Sequence, residues 1–396
     1  MLGFSKIPKN VFILGLVSLF NDIASEMIYP IVPIFLTSVL GAPVSVVGFI
    51  EGVAEATASV MKFISGYISD RVQKRKIFVI SGYGLGSVSK LLTGLAVSWH
   101  FVLFARFIDR LGKGIRTSAR DSILLQNATS QNKGYIFGFH RAMDSLGAVV
   151  GPLLALILLY LLKGNIRIVF FLAFIPSLIG VFLLILFVKE KKQEISKSSV
   201  KINFSWKNIN SNLKLFFVIS IIFALGNSSD AFLILRAKDL GLATTLVVLT
   251  YVLYNISQTV FSTPAGQLAD KIGARKVFAL GLLIFSIVYF MFGIISNPNW
   301  IWVIFPVYGL YIAFTDGVSK AYISEFITEK ESGSYFGMYQ TGIAIAGFFA
   351  SFTGGILWSQ INPSATFFFG SIMAMLAFLI LFFTNFFRAS TPRVGS

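Results

Sequence analysis

The 396-residue chain is divided into twelve apolar stretches by short polar loops, at approximately 10–38, 44–69, 76–97, 100–127, 134–162, 166–188, 212–238, 243–269, 276–296, 300–328, 333–360 and 364–388. Each reaches the ~20 residues that a hydrocarbon core demands of a spanning helix. Charged residues make up 13% of the chain, against about a quarter in soluble domains. The 42 phenylalanines suit lipid-facing surfaces. The fold class is therefore an all-α membrane protein. The only long polar linker, rich in Lys, Ser and Asn, separates six segments from six: an N-terminal bundle over 1–188, a linker over 189–211 and a C-terminal bundle over 212–396.

The fourth segment carries the strongest functional signal. Arg106, Arg110, Lys113, Arg116 and Arg120 recur every three to four residues, so on a helix they line one face. A cation at mid-bilayer costs roughly 2.5 kcal/mol or much more, so the stripe must face protein, water or a charged ligand. A polar path that handles something negative is expected.

The net charge of +16 has a topological explanation. One set of loops carries about 20 Lys and Arg and the opposite set about 3, and the richer side is cytoplasmic. With an even number of spans, both termini lie on that side, and nucleic acid is not an expected partner. The first apolar segment is too long for a cleavable signal peptide and is followed by further spans. There is no cysteine, so disulfides and thiol chemistry are excluded.

Two parts of the chain repeat at an offset of about 200 residues. Gly66-Tyr-Ile-Ser-Asp70-Arg71-Val-Gln-Lys-Arg75-Lys76 matches Gly266-Gln-Leu-Ala-Asp270-Lys271-Ile-Gly273-Ala-Arg275-Lys276, and Gly134-Tyr-Ile-Phe137-Gly138 matches Gly333-Ser-Tyr-Phe336-Gly337. Asn21-Asp22 has a looser counterpart in Asn227-Ser-Ser-Asp230. Internal repetition in a polytopic protein marks transporters that move one half against the other.

These residues resemble the major facilitator superfamily. The Gly-x-x-x-Asp-Arg/Lys-x-Gly-x-Arg/Lys-Arg/Lys motif lies between segments 2 and 3, with Gln73 in place of the usual glycine, and its copy between segments 8 and 9 keeps Gly273. Arg106 matches the arginine of the superfamily's helix 4 motif, with Arg110 in place of its first glycine. Gly147-Ala-Val-Val-Gly151-Pro152 is similar to the helix 5 motif of proton-coupled exporters, with Ala155 where the motif continues in glycine. The resemblance covers essentially the whole chain. It implies two bundles related by a pseudo-twofold axis, alternating access, and a central cavity lined by helices 1, 4, 7 and 10. It also implies that the Asp70 and Asp270 motifs latch the cytoplasmic side. The expected gating set is Gly66, Asp70, Arg71, Arg116, Arg120, Arg141, Asp144, Gly147, Gly151, Pro152, Gly266, Asp270 and Lys271.

The buried charges then acquire expected roles. Asp22 and Glu26 sit one turn apart on helix 1; two like charges at that spacing repel, so one of them is expected to load and release a proton, with Glu51 and Glu55 next in line. The competing expectation is that both stay ionised against the helix 4 arginines. Arg106, Arg110 and Lys113, with Lys90, bias the cavity toward anions, because a guanidinium offers a planar fork suited to carboxylate or phosphate. Tyr29, Asn227, Asp230, Asp316 and Lys320 complete the expected substrate-binding set. Asp316–Lys320 and Arg141–Asp144 also read as structural pairs.

His100 and His140, the only histidines, build neither a metal site nor a hydrolytic triad. Leu111-Gly-Lys-Gly114 lacks the first glycine and the Ser/Thr of a phosphate-binding loop. The expectation is a non-enzymatic, proton-driven secondary transporter without cofactor or metal. It would sit as a monomer in a bacterial inner membrane and export a small anionic solute: a polycarboxylate, a siderophore or an organophosphate. A polyspecific drug/proton antiporter and an anion importer by proton symport are the alternatives within transport. A membrane sensor on the same scaffold and an intramembrane enzyme are the alternatives outside it.

Overall fold

A computed structural model describes residues 7–72, 74–127, 133–190, 210–326 and 332–389. Twelve helical spans follow in order: α1 (Lys9–Val39), α2 (Val44–Val72), α3 (Arg75–Leu95), α4 (Trp99–Gln126), α5 (Lys133–Leu161), α6 (Ile166–Phe187), α7 (Ser211–Asp239), α8 (Thr244–Ile272), α9 (Ala274–Ile294), α10 (Ile301–Ser324), α11 (Ser332–Gln360) and α12 (Pro363–Ala389). Eleven are long and apolar enough to cross a membrane by composition alone. The remaining one is α4, whose 28 residues span the distance but carry the basic stripe.

Two spans are interrupted. In α1 the regular helix stops at Ile28, ahead of Pro30, and resumes at Val32. It then widens into a π-type turn in which the Leu40 amide reaches the Phe35 carbonyl. Proline lacks the amide that would continue the ladder. In α7 the helix ends at Gly226 and restarts at Ala231, so Asn227, Ser228, Ser229 and Asp230 form a non-helical elbow. Both breaks fall beside residues expected to bind or couple.

The chain divides into two compact units. The first comprises residues 1–199 with Leu242–Val252, and the second residues 200–241 with 253–396. Most of the expected linker, 189–211, lies outside the described residues. The opening turns of α8 group with the first unit, where the Tyr251 hydroxyl donates to Glu26 Oε2 (2.9 Å) and its ring lies 5.6 Å from that of Tyr29. The same pairings build each unit: α1 packs on α5 and α6 and α3 on α4 and α6, while α7 packs on α11 and α12 and α9 on α10 and α12.

Helix α4 is held by its small residues. A Cβ on Gly112 would lie 2.5 Å from the Gly82 carbonyl of α3, and one on Gly114 would lie 2.6 Å from Met61 Cβ of α2. Backbones approach this closely only where side chains are missing. The two glycine-bearing faces seat α4 against α3 and α2. An arginine caps the C-terminal end of a helix in each unit: Arg167 donates to the carbonyls of Gly94 and Ala96 after α3, and Arg236 to those of Phe292 and Ile295 after α9. A cation there meets the negative end of the helix dipole.

Candidate functional site: a cation-lined cavity in the first unit

A small cavity opens between α1 and α4. It is lined by Asp22, Ser25, Glu26, Ile28 and Tyr29 from α1 and by Arg106, Asp109, Arg110, Lys113 and Arg116 from α4. The 3.6-residue period of α4 gathers four of the five stripe cations on this wall. Arg120 lies one turn further on, where it grips Asp121 (2.9 Å) and reaches Ser18 (3.4 Å).

The cations differ sharply in their partners. Arg106 pairs with Glu51 of α2, both almost fully buried, and its guanidinium also lies 5.8 Å from the Tyr29 ring. Arg110 stands 3.8 Å from Glu55 and 3.9 Å from Asp109. Lys90 of α3 is fully buried, lies 3.7 Å from Asp109 and donates to the Gly86 carbonyl, so it faces α4 and does not line the cavity. Lys113 and Arg116 form no ion pair among the described residues; Arg116 lays its guanidinium 4.4 Å from the Tyr83 ring centre. The Nε atoms of Arg106, Arg110 and Arg116 are all buried without a hydrogen-bond partner.

The carboxylates are equally distinct. Asp22 is half-buried and makes no ion pair or side-chain hydrogen bond among the described residues, whereas Glu26 accepts from Tyr251. The Asp22 turn rests on two glycines of α5: a Cβ on Gly147 would come within 2.8 Å of Asp22 Cβ, and one on Gly151 within 3.0 Å of Glu26 Cβ. The exporter-like motif, expected to gate, is thus the bed on which the two acids lie, with Pro152 buried beside it. Glu51 is locked in its ion pair, and Glu55 is 55% exposed.

The remaining expected residues fall elsewhere. Asp144 meets His140 one turn back (3.5 Å), not Arg141, which is exposed. The i,i+4 spacing puts His140 on the same face as Asp144, whereas Arg141 is rotated away. A Cβ on Gly66 would meet Ser118 of α4 at 3.2 Å, the expected close approach; Gly266 has nothing within 4 Å. Asp270 and Lys271 are exposed and make no ion pair among the described residues. Asp70 and Arg71 close α2, but their side chains lie outside the described residues. Asp316 and Lys320 form a 3.0 Å pair, half exposed on α10.

In the second unit the α7 elbow meets a cluster of tyrosines. Asp230 accepts from Tyr308 (2.6 Å) and Tyr254 (3.0 Å), and Asn227 bonds Tyr311 (3.0 Å). The tyrosine rings pack within 4.8–5.3 Å of one another. Sequence reasoning named the two polar residues and missed the tyrosines. The missed signal was the spacing of Tyr308 and Tyr311, three residues apart on α10 and so on one helix face.

Residues 14–236 and 215–395 match the family model described as the Major Facilitator Superfamily. The chain belongs to the Major Facilitator Superfamily. A protein of Methanocaldococcus jannaschii described as an uncharacterised MFS-type transporter is 38% identical, the match covering 96% of this chain and 95% of that one. An uncharacterised protein of Mycobacterium bovis is 25% identical over 85% of this chain and 83% of its own. Among solved structures, a POT family transporter in complex with 5-aminolevulinic acid superposes with a TM-score of 0.80 at 12% identity, covering 98% of both chains. The nucleoside transporter NupG does so at 0.74 and 13%, covering 96% of this chain and 100% of that one. At such identities the likeness is one of fold. As a member of this superfamily the protein is a membrane-embedded secondary transporter of a small molecule and not an enzyme.

Proposed function

We propose that this superfamily member carries a small anionic solute by alternating access, coupled to protons through Asp22 and Glu26, with both termini in the cytoplasm. The observation that carries the reading is the α4 wall: Arg106, Arg110, Lys113 and Arg116 share one cavity with three buried Nε donors unmet. A carboxylate, phosphate or sulfate group matches the planar fork that a guanidinium offers. A polyspecific exporter of lipophilic cations is the second reading. It draws on a 26% match over 36% of the chain to a protein of Staphylococcus aureus named for quinolone resistance, and a wall of four cations speaks against it.

Proton coupling rests on the placement of Asp22 and Glu26, which line the same cavity as the cations. Export is the direction implied by the resemblance of the α5 glycines; import by proton symport uses the same acids. The test is transport in proteoliposomes with an imposed pH gradient, using solutes found by screening acidic metabolites for thermal stabilisation. Glu26→Gln and Asp22→Asn are expected to lose gradient-driven accumulation while keeping solute exchange, which moves no net proton. Full gradient-driven transport by both variants refutes the coupling. A best substrate that is a lipophilic cation refutes the anion reading.

A further inference from the structure

The five cations nearest the cavity are not equivalent, and the difference locates the seat of the anion. Arg106 is committed to Glu51, Arg110 is shared between Glu55 and Asp109, and Lys90 is held by Asp109 and a backbone carbonyl. Each has at least one carboxylate within 4.0 Å. Lys113 and Arg116 have none among the described residues, and neither side chain donates a hydrogen bond there. They stand three residues apart on α4, the spacing that makes helical side chains neighbours.

Arg116 is the more telling of the two. It is 7% exposed, with its Nε buried and unpartnered, and its guanidinium lies 4.4 Å from the centre of the Tyr83 ring. Stacking on an aromatic ring holds the guanidinium plane and leaves its edge free to donate. Opposite it stands Gly86, where a Cβ would lie 3.3 Å from Arg116 Nη1. The absence of a side chain there keeps that edge open. A buried guanidinium without a counter-ion is costly unless a partner arrives, and Arg116 lines the cavity.

The groups facing Asp22 are Glu26 from its own helix, Arg116 and Lys113 from α4, and Asp144 from α5; α6 presents Ser177 to the neighbouring Asn21. Asp22 lines the same cavity as Lys113 and Arg116, yet it pairs with neither within 4.0 Å. An ionised Asp22 and a bound anion draw on the same two positive charges and repel each other. A proton on Asp22 removes that competition. Linkage is reciprocal, so an anion on the cations equally favours the proton on Asp22.

We propose that Lys113 and Arg116 form the anion seat of the cavity and that Asp22 takes up its proton together with the anion, so that both occupy one loaded state. This rests on the anion reading above and deepens it. The ligand class is a solute presenting one carboxylate, phosphate or sulfate group to both cations. Arg116, expected from sequence to gate, becomes a binding residue, and Arg106 and Arg110 become the charge-balanced frame around it. Co-loading of proton and anion is symport, so an inward proton gradient drives uptake, opposite to the export implied by the α5 motif.

The test uses the full chain in detergent with sulfate as the probe, because sulfate keeps two charges from pH 6 to pH 8. Thermal unfolding is followed by tryptophan fluorescence against sodium sulfate, with chloride holding ionic strength constant. Wild-type protein is expected to show saturable stabilisation that is stronger at pH 6 than at pH 8. Lys113→Gln and Arg116→Gln should each weaken the apparent affinity tenfold or more, and Lys163→Gln, in a loop away from the cavity, should leave it unchanged. Asp22→Asn should tighten sulfate binding and abolish the difference between the two pH values, a gain that misfolding cannot imitate. Stabilisation that survives Arg116→Gln but is lost in Arg110→Gln overturns the seat while leaving the anion reading intact. A pH difference that persists in Asp22→Asn overturns the role of Asp22. If sulfate, phosphate and citrate all fail to stabilise the wild type, the seat and the anion reading fall together.

Discussion

Removing one partner of the Glu51–Arg106 pair should show that it is a structural strut, and the magnitude follows from its burial. Glu51 is 3% exposed and Arg106 5%, so little water reaches either charge. In Glu51→Ala the Arg106 guanidinium, whose Nε already lacks a partner, keeps the Tyr29 ring at 5.8 Å and no carboxylate within 4.0 Å among the described residues. Stranding a buried charge in this way costs about 3–5 kcal/mol, and the cavity wall at Arg106 argues for the lower end, near ~3 kcal/mol. Arg106→Ala strands Glu51 and should cost about the same. The double variant strands nothing, so its loss should fall below the sum of the singles by roughly 3 kcal/mol. Equilibrium unfolding in mixed micelles, titrated with a denaturing detergent and followed by tryptophan fluorescence, measures all four corners of the cycle. Singles that add to the double within about 0.5 kcal/mol would refute the coupling and return Glu51 to the list of proton carriers.

Gly147→Ala should destabilise by about 1–3 kcal/mol through overpacking, because its Cβ would press on Asp22 Cβ and the Leu19 carbonyl. Gly138→Ala on the same helix, with nothing within 4 Å, is the control for this unfolding measurement. In the second unit, Tyr308→Phe removes a bond to a carboxylate and should cost about 1.5–3 kcal/mol, whereas Tyr311→Phe, bonded to the neutral Asn227, should cost about 0.5–1.5 kcal/mol. Equal losses in the two unfolding curves would count against a charged Asp230. A reporter fused after Ser396 should read as cytoplasmic, and an external reading would reverse the proposed topology.

The fold was almost wholly legible because a lipid solvent demands long apolar runs, and the twelve expected segments coincide with the observed spans to within a few residues. The basic face of α4 was equally readable, since a 3.6-residue period collects Arg106 to Arg116 whatever surrounds them. What sequence could not supply was the partner of each charge. Glu51 and Glu55 read as proton carriers, and nothing in their spacing says that α2 sets them within 4.0 Å of Arg106 and Arg110. Lys90 looked like a cavity residue until α3 turned it toward Asp109. Asp144 was paired with its sequence neighbour Arg141, whereas helix rotation gives it His140. The break in α7 left only a run of small polar residues as its trace, and the tyrosines that line it come from α8 and α10. Pairing across helices depends on rotation and depth, which one-dimensional spacing leaves open.

The composition of α4 also bears on how the protein is made. Between Trp99 and Gln126 it carries Arg106, Asp109, Arg110, Lys113, Arg116, Arg120 and Asp121, and each central charge opposes insertion by about 2.5–3.5 kcal/mol on the scale of cellular membrane integration. No run of leucines in this segment offsets that, so α4 does not enter the bilayer as an independent hairpin arm. Its entry is tied to α2 and α3, synthesised just before it, which bring Glu51 and the Gly82 groove that receives Gly112. The nascent chain must therefore hold its first three helices together at the translocation site until the fourth arrives, and the helix that gives the cavity its chemistry is the one whose biogenesis depends most on its neighbours.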